Sequence, residues 1–256
     1  MDGFAVSVAV AVVMFVSGII GLNLHRVLPE RHLSKETHDV IRLGTGMLSV
    51  LASLVLGLMI TTAKTSFDGT NAAVSAYAAD LTVLDEILRG YGDGALAARR
   101  QVRNYTSRLL NDVWTEQYGH AYMVENRAAG DILEHAYEAI RALTPGNHDQ
   151  EMLANDAVQL ATSLLRERWL LIARSDTSMR PMIIVIVVFW LAAIFVSFGI
   201  NAPRHATIHT VFFILAVGIG SAMFMILELN SPFQGPMRIS SQPIQTALSH
   251  MLPEQQ

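Results

Sequence analysis

Four windows along the chain are uncharged and mostly apolar: Phe4 to Leu22, Leu43 to Ala63, Met182 to Ile200 and Ile208 to Leu227. Each has about the 17 to 25 residues that a helix needs to cross ~30 Å of hydrocarbon at 1.5 Å per residue. The pattern predicts four transmembrane helices. Short links, Asn23 to Arg42 and Asn201 to Thr207, join the first pair and the last pair. Between the second and third windows lies a long polar stretch, Lys64 to Pro181, with 12 basic and 16 acidic residues.

Inside that stretch the apolar residues return with a helical period. Val74, Tyr77, Leu81, Leu84, Leu88 and Tyr91 alternate spacings of three and four, which predicts a helix that stops at Gly90 to Gly94, where three glycines fall in five residues. A second helix fits Ala95 to about Gln117, with Val102, Tyr105, Leu109 and Val113 on one face. A third fits Asp131 to Leu143, with Ile132, Ala136, Ile140 and Leu143 in register, and ends at Thr144-Pro145-Gly146. A fourth runs from about Asp149 towards Arg180 on Leu153, Ala157, Leu160, Leu164 and Leu171. No window alternates apolar and polar residues for long enough to argue a strand. The expectation is an all-α membrane protein with four transmembrane helices and a helical extramembrane domain inserted between spans two and three. Its segments are 1–63, 64–181, 182–227 and 228–256. In the last, Pro243 suits the first turn of a short helix whose Ile244, Leu248, Met251 and Leu252 share a face and need a surface to pack on.

Composition supports the partition. The chain is 52% hydrophobic and 16% charged, against about 45–50% and 25% for a soluble domain. All 18 Lys and Arg and all 22 Asp and Glu lie outside the four windows. The first window lacks the positive flank and small-x-small site of a cleavable signal, so it is read as a retained helix. The absence of cysteine excludes disulfides, thiolate metal sites and cysteine nucleophiles. Basic residues are interleaved with acidic ones and form no run of five, which leaves nucleic-acid binding without support. An even number of crossings puts both termini and the helical domain on one side. Five Lys or Arg flank the membrane on the short-loop face (Arg26, Arg31, Lys35, Arg42, Arg204). Five flank it on the other (Lys64, Arg168, Arg174, Arg180, Arg238), so positive charge alone leaves the orientation tied.

Candidate chemistry is sparse. Gly46, Ser49, Ser53, Gly57 and Thr61 recur at three and four residues on the second span and form a small, weakly polar stripe, with Lys64 just beyond it. Two readings are open. Hydroxyls can replace part of an ion's hydration in a pore wall with the lysine at its mouth, or small residues can let helices approach closely in lipid. Lys64 alone also fits an interfacial snorkelling residue. Glu228, one residue past the fourth window, is either a gate or cation site or a carboxylate capping backbone donors in the turn at Pro232. His205 and His209 are spaced for one helix face but lack a third ligand nearby, and Glu134, His135 and Glu138 suit a solvated surface. Gly90 to Gly94 lacks the lysine of a phosphate loop, and no nucleophile elbow occurs, so an enzyme is the least supported class; no cofactor or metal is implied.

Two groups of residues carry a family resemblance. The first is Leu28-Pro29 through His32, then Leu43 to Gly57 (LGTGMLSVLASLVLG) and Ala63 to Asp68 (AKTSFD). The second is Leu227 to Gly235 (LELNSPFQG), then Arg238 to Ser241 (RISS). Together they resemble the bacterial bestrophin-like domain family, named for its likeness to the bestrophins. The resemblance implies a homo-oligomeric, pentameric anion channel in the bacterial inner membrane, with cytoplasmic termini and helical domain. It singles out Glu228, Asn230, Pro232, Phe233 and Gly235 as a post-span motif, in which Pro232, Phe233 and Gly235 look like a fixed corner after the fourth helix, with Phe233 buried and Gly235 in a backbone that a β-carbon would oppose. Two departures stand out. Bestrophins follow their Pro-Phe-Gly with an acidic calcium clasp, whereas no carboxylate follows Pro232-Phe233 here until Glu254, and Leu43 to Ala63 holds none of the aromatic residues that narrow their pore. The alternative from another class is a non-conducting membrane scaffold or sensor whose helical domain binds a partner.

Overall fold

The computed structural model describes residues 3–24, 35–114, 127–175, 181–203 and 205–252. Among them are eight α-helices and no strand: α1 Gly3–Leu24, α2 Lys35–Tyr91, α3 Leu96–Trp114, α4 Arg127–Arg141, α5 His148–Ser175, α6 Pro181–Asn201, α7 Ala206–Leu229 and α8 Gln242–Met251. A 3-10 turn, Asp93–Ala95, precedes α3. Helices α1, α2, α6 and α7 are long and apolar enough to cross a membrane, and they contain the four predicted windows. The expected ends towards Gln117 and Arg180, the segment Leu28 to His32, and Arg26, Arg31 and Arg204 lie outside the described residues.

One difference from the sequence expectation is large. The second span and the helix expected from Val74 are a single α2 of 57 residues. The stretch between them contains one glycine, Gly69, and no proline, and a lone glycine costs a helix only ~1 kcal/mol relative to alanine. Nothing there forces a stop. The helix ends at Tyr91 because Gly92 takes φ 98°, a conformation that β-carbons oppose, and returns its N–H to the Arg89 carbonyl at 3.1 Å.

By their contacts the residues form two units, Met1–Ser66 with Ser178–Asn230 and Phe67–Thr177 with Ser231–Gln256. The chain therefore leaves the first unit within α2 and returns to it before α6. In the first unit α1 packs against both α6 and α7. Its core is Val10 and Met14 of α1, Val187, Leu191, Ile194 and Phe195 of α6, and Ala216, Met223 and Ile226 of α7, with Ala52 and Met59 of α2. In lipid, apolar side chains gain little by leaving the solvent, so close backbone approach has to carry the association. Small residues supply it. A β-carbon on Gly18 would come within 2.8 Å of the Phe212 ring, and one on Gly220 within 2.9 Å of Ala11 Cβ.

The second unit has its own core. Val74, Tyr77, Leu81, Leu84, Leu88 and Tyr91 are all buried, together with Val102 and Tyr105 of α3, Leu133, Ala136 and Ile140 of α4, and Ala157, Ala161 and Leu164 of α5. Helix α8 joins it through Ile244, Ala247 and Met251 and packs on α3, so the expected support for the tail is α3. Leu252 departs from the expected face and is exposed, because α8 ends at Met251 and its C-cap residue Leu252 turns to an extended conformation. At the centre Tyr77 and Tyr105 share a hydroxyl–hydroxyl hydrogen bond of 2.6 Å, with rings edge to face at 6.5 Å. Burial pushes the Tyr105 hydroxyl above the usual phenol range.

Candidate functional site

The predicted stripe runs along an uncovered face of α2. Among the described residues nothing lies within 4 Å of where a β-carbon on Gly46 or Gly57 would stand; Ser53, Thr61 and Lys64 are exposed and Ser49 is half-buried. Only 11% of the apolar window of α2 is buried within the chain, against 39% for α1 and 28% each for α6 and α7. The stripe therefore does not serve helix packing inside one copy; that task falls to Gly18, Gly21, Gly199 and Gly220, which the pattern on α2 did not reveal.

A polar seam fixes which face of α2 turns inward. His38 Nδ1 meets Asn201 Oδ1 at 2.6 Å, and the Thr45 and Ser197 hydroxyls pair. Ala52, Met59 and Ala63 continue that side of α2 as buried residues, while Ser53, Gly57 and Thr61 lie on the other. Each stripe hydroxyl donates to its own helix: Ser49 to Thr45 O at 2.7 Å, Ser53 to Val50 O at 3.0 Å and Thr61 to Gly57 O at 2.9 Å. Satisfying a hydroxyl in this way is the usual solution in a low-dielectric environment, and it leaves the oxygen lone pairs directed away from the helix.

The post-span residues divide at the boundary between the units. Glu228 and Asn230 belong to the first. Glu228 is buried, 7% exposed, and among the described residues its Oε2 has no hydrogen-bond partner, so that oxygen caps none of their backbone donors. Its Oε1 lies 3.4 Å from where a β-carbon on Gly3 of α1 would stand. Asn230 ends α7, its N–H bonded to the Ile226 carbonyl at 3.2 Å.

Pro232, Phe233 and Gly235 form a corner in the second unit. Gly235 has φ 75°, in the left-handed region that favours glycine. The chain closes on itself where Ile239 N–H donates to Pro232 O at 2.8 Å. Trp114, at the end of α3, clamps it. The Trp114 Nε1–H donates to Ile239 O at 2.8 Å, and its ring meets the buried Phe233 edge-on at 6.1 Å. Ile239 falls within the RISS segment of the resemblance, but Trp114 and its bond to Ile239 were not singled out by sequence, since an aromatic at the end of an amphipathic helix gives no sign of a partner 125 residues away. Among the described residues no group of three or more His, Asp or Glu could hold a metal ion, and neither His205 nor His209 belongs to such a group.

The sequence matches the model of the Bestrophin-like domain over residues 7–244. The chain belongs to the Bestrophin-like domain family. The match takes in the stripe, Lys64 and the whole post-span motif of this Bestrophin-like protein, as the resemblance implied. Its fold is that of solved bacterial bestrophin homologues from Klebsiella pneumoniae. A point-mutated form superposes with TM-score 0.69 at 11% identity, covering 98% of this chain and 97% of that one. A second structure of a Klebsiella homologue gives TM-score 0.64 at 12% identity, over 95% and 96% of the two chains. A comparison with curated proteins found no match.

Proposed function

We propose that this Bestrophin-like membrane protein is a homo-oligomeric anion channel whose α2 helices line the path. One observation carries the reading: the membrane helix least covered by its own chain presents Gly46, Ser49, Ser53, Gly57 and Thr61 on an uncharged, narrow-sided face with Lys64 following. Copies arranged about an axis with these faces inward would leave room between them where the side chains are smallest. The family resemblance makes five copies the expected number and the bacterial inner membrane the expected location, with the termini in the cytoplasm. A ring of Lys64 ammonium groups would raise anion concentration at the mouth, an effect screened over ~8 Å at physiological salt. The hydroxyls on the path would coordinate an anion by rotating away from their own carbonyls.

A non-conducting scaffold is the second reading. It is favoured by those same hydroxyl bonds, in which Ser49, Ser53 and Thr61 each commit their donor to their own helix. Chloride flux from liposomes decides between the two. The channel reading expects flux from the wild type, loss on Ser53→Leu, and lowered or reversed selectivity on Lys64→Glu. A folded, oligomeric protein that carries no chloride across a range of pH, calcium and voltage would overturn it in favour of the scaffold.

A further inference from the structure

In the second unit a cleft of about 300 Å³ opens where the start of α3 meets α2 and the end of α8. Its walls are Asp85, Leu96, Arg99, Arg100, Arg103 and Met251. Three arginines on little more than one turn of helix face one carboxylate, and that carboxylate is already used. Asp85 is buried, with Oδ1 accepting from Arg99 Nε at 2.9 Å and Oδ2 from Arg99 Nη2 at 2.9 Å. Oδ2 also accepts from Arg89 Nη2 at 3.2 Å, and the same nitrogen donates to the His250 carbonyl at 3.1 Å. The hydrogen bonds that the Arg99 guanidinium donates to Asp85 raise its pKa above the ordinary arginine value and fix its orientation. Among the described residues Arg100 and Arg103 form no ion pair, and Arg100 donates only to its own helix at Leu96 O.

The positions of these cations add to the imbalance. They stand in the first half of α3, near the end where the helix dipole is positive and where acidic side chains are favoured; α3 has none in its first turn, and Asp93 in the preceding turn does not line the cleft. Arg99 and Arg103 are four residues apart, a spacing at which like charges repel. A bound anion would relieve both effects at once. Guanidinium forks match the paired oxygens of phosphate and carboxylate, and the volume is at the small end of ligand sites. Leu96 and Met251 offer the ligand body an apolar wall.

We propose that this cleft binds a compact oxyanion carrying two or more negative charges, of phosphate or phosphate-ester chemistry, held by Arg99, Arg100 and Arg103. The site needs no conduction to exist, so its test is separate from the flux assay. A free phosphorylated solute and a phospholipid headgroup share this chemistry. Full-length protein in neutral detergent is titrated calorimetrically with inorganic pyrophosphate. The expected result is saturable binding that falls steeply with added salt, weakens at least tenfold in R100Q/R103Q, and is unchanged in Arg108→Gln, which lies outside the cleft. Protection of Arg100 and Arg103 from phenylglyoxal, read by mass spectrometry on the wild type, tests the site without any variant. Protection by pyrophosphate in detergent identifies a soluble oxyanion. Protection only in nanodiscs containing an anionic phospholipid, and not in zwitterionic ones, identifies a headgroup. No protection under either condition, or pyrophosphate binding equal in R100Q/R103Q and wild type, overturns the proposal.

Discussion

Gly21 of α1 and Gly199 of α6 stand backbone to backbone. A β-carbon built on Gly21 would collide with the Val196 carbonyl oxygen and lie 2.9 Å from Gly199 Cα; one built on Gly199 would collide with the Gly18 carbonyl oxygen and lie 2.7 Å from Leu22 N. The neighbours on both sides are main-chain atoms, which cannot swing aside as a side chain can.

Gly199→Ala should therefore push α6 off α1 and destabilise the first unit by about 1–3 kcal/mol, the usual cost of overpacking. Gly57→Ala, where a β-carbon meets nothing among the described residues, should leave the fold as stable or raise it by up to ~1 kcal/mol through helix propensity. Thermal unfolding of both variants in detergent checks the contrast, and equal effects would count against the α1–α6 contact.

Phe233→Ala should cost about 3–5 kcal/mol, because it empties a buried site against Trp114. Trp114→Phe keeps most of the ring packing and loses the donor to Ile239 O, so about 1 kcal/mol is expected. Gly235→Ala forces a β-carbon into φ 75°, for about 1–2 kcal/mol. The read-out is folded yield and melting temperature. A Phe233→Ala protein that purifies normally and melts with the wild type would remove the corner from the structural account.

Tyr105 sets an alkaline limit. Its hydroxyl is raised by burial, so the unfolded chain, with a tyrosine near pH 10, loses this proton before the folded one does. The stabilising effect is complete below about pH 10 and is lost as pH rises from there through the folded value. Tyr105→Phe should lessen the fall of melting temperature above pH 10. Near neutrality it should cost about 1–3 kcal/mol, since the Tyr77 hydroxyl loses its partner in the core. A pH series of melting curves tests both statements.

The orientation across the membrane rests on the family resemblance, because basic residues are balanced on the two faces. A fluorescent protein fused after Gln256 should be bright in cells, and alkaline phosphatase at the same place inactive. The reverse pair of results would put the termini and the helical domain outside the cytoplasm.

What the sequence determined by itself was whatever depends on near neighbours. Helical period made Val74 through Tyr91 recognisable as a buried stripe, and the lack of charge in four windows marked the helices long and apolar enough to cross a membrane, because both are properties of one segment. The motif residues Pro232, Phe233 and Gly235 were legible as a corner for the same reason, since a proline and a glycine with positive φ act on the local backbone. The tertiary structure alone decided which small residues pack and which stay open. Gly57 and Gly199 both stand in uncharged apolar windows, yet among the described residues one faces nothing and the other touches the main chain of α1. It also paired Asp85 with Arg99 and Trp114 with Ile239. Such contacts depend on how whole helices cross, and a crossing is set by the surfaces of two helices together, which no single segment encodes.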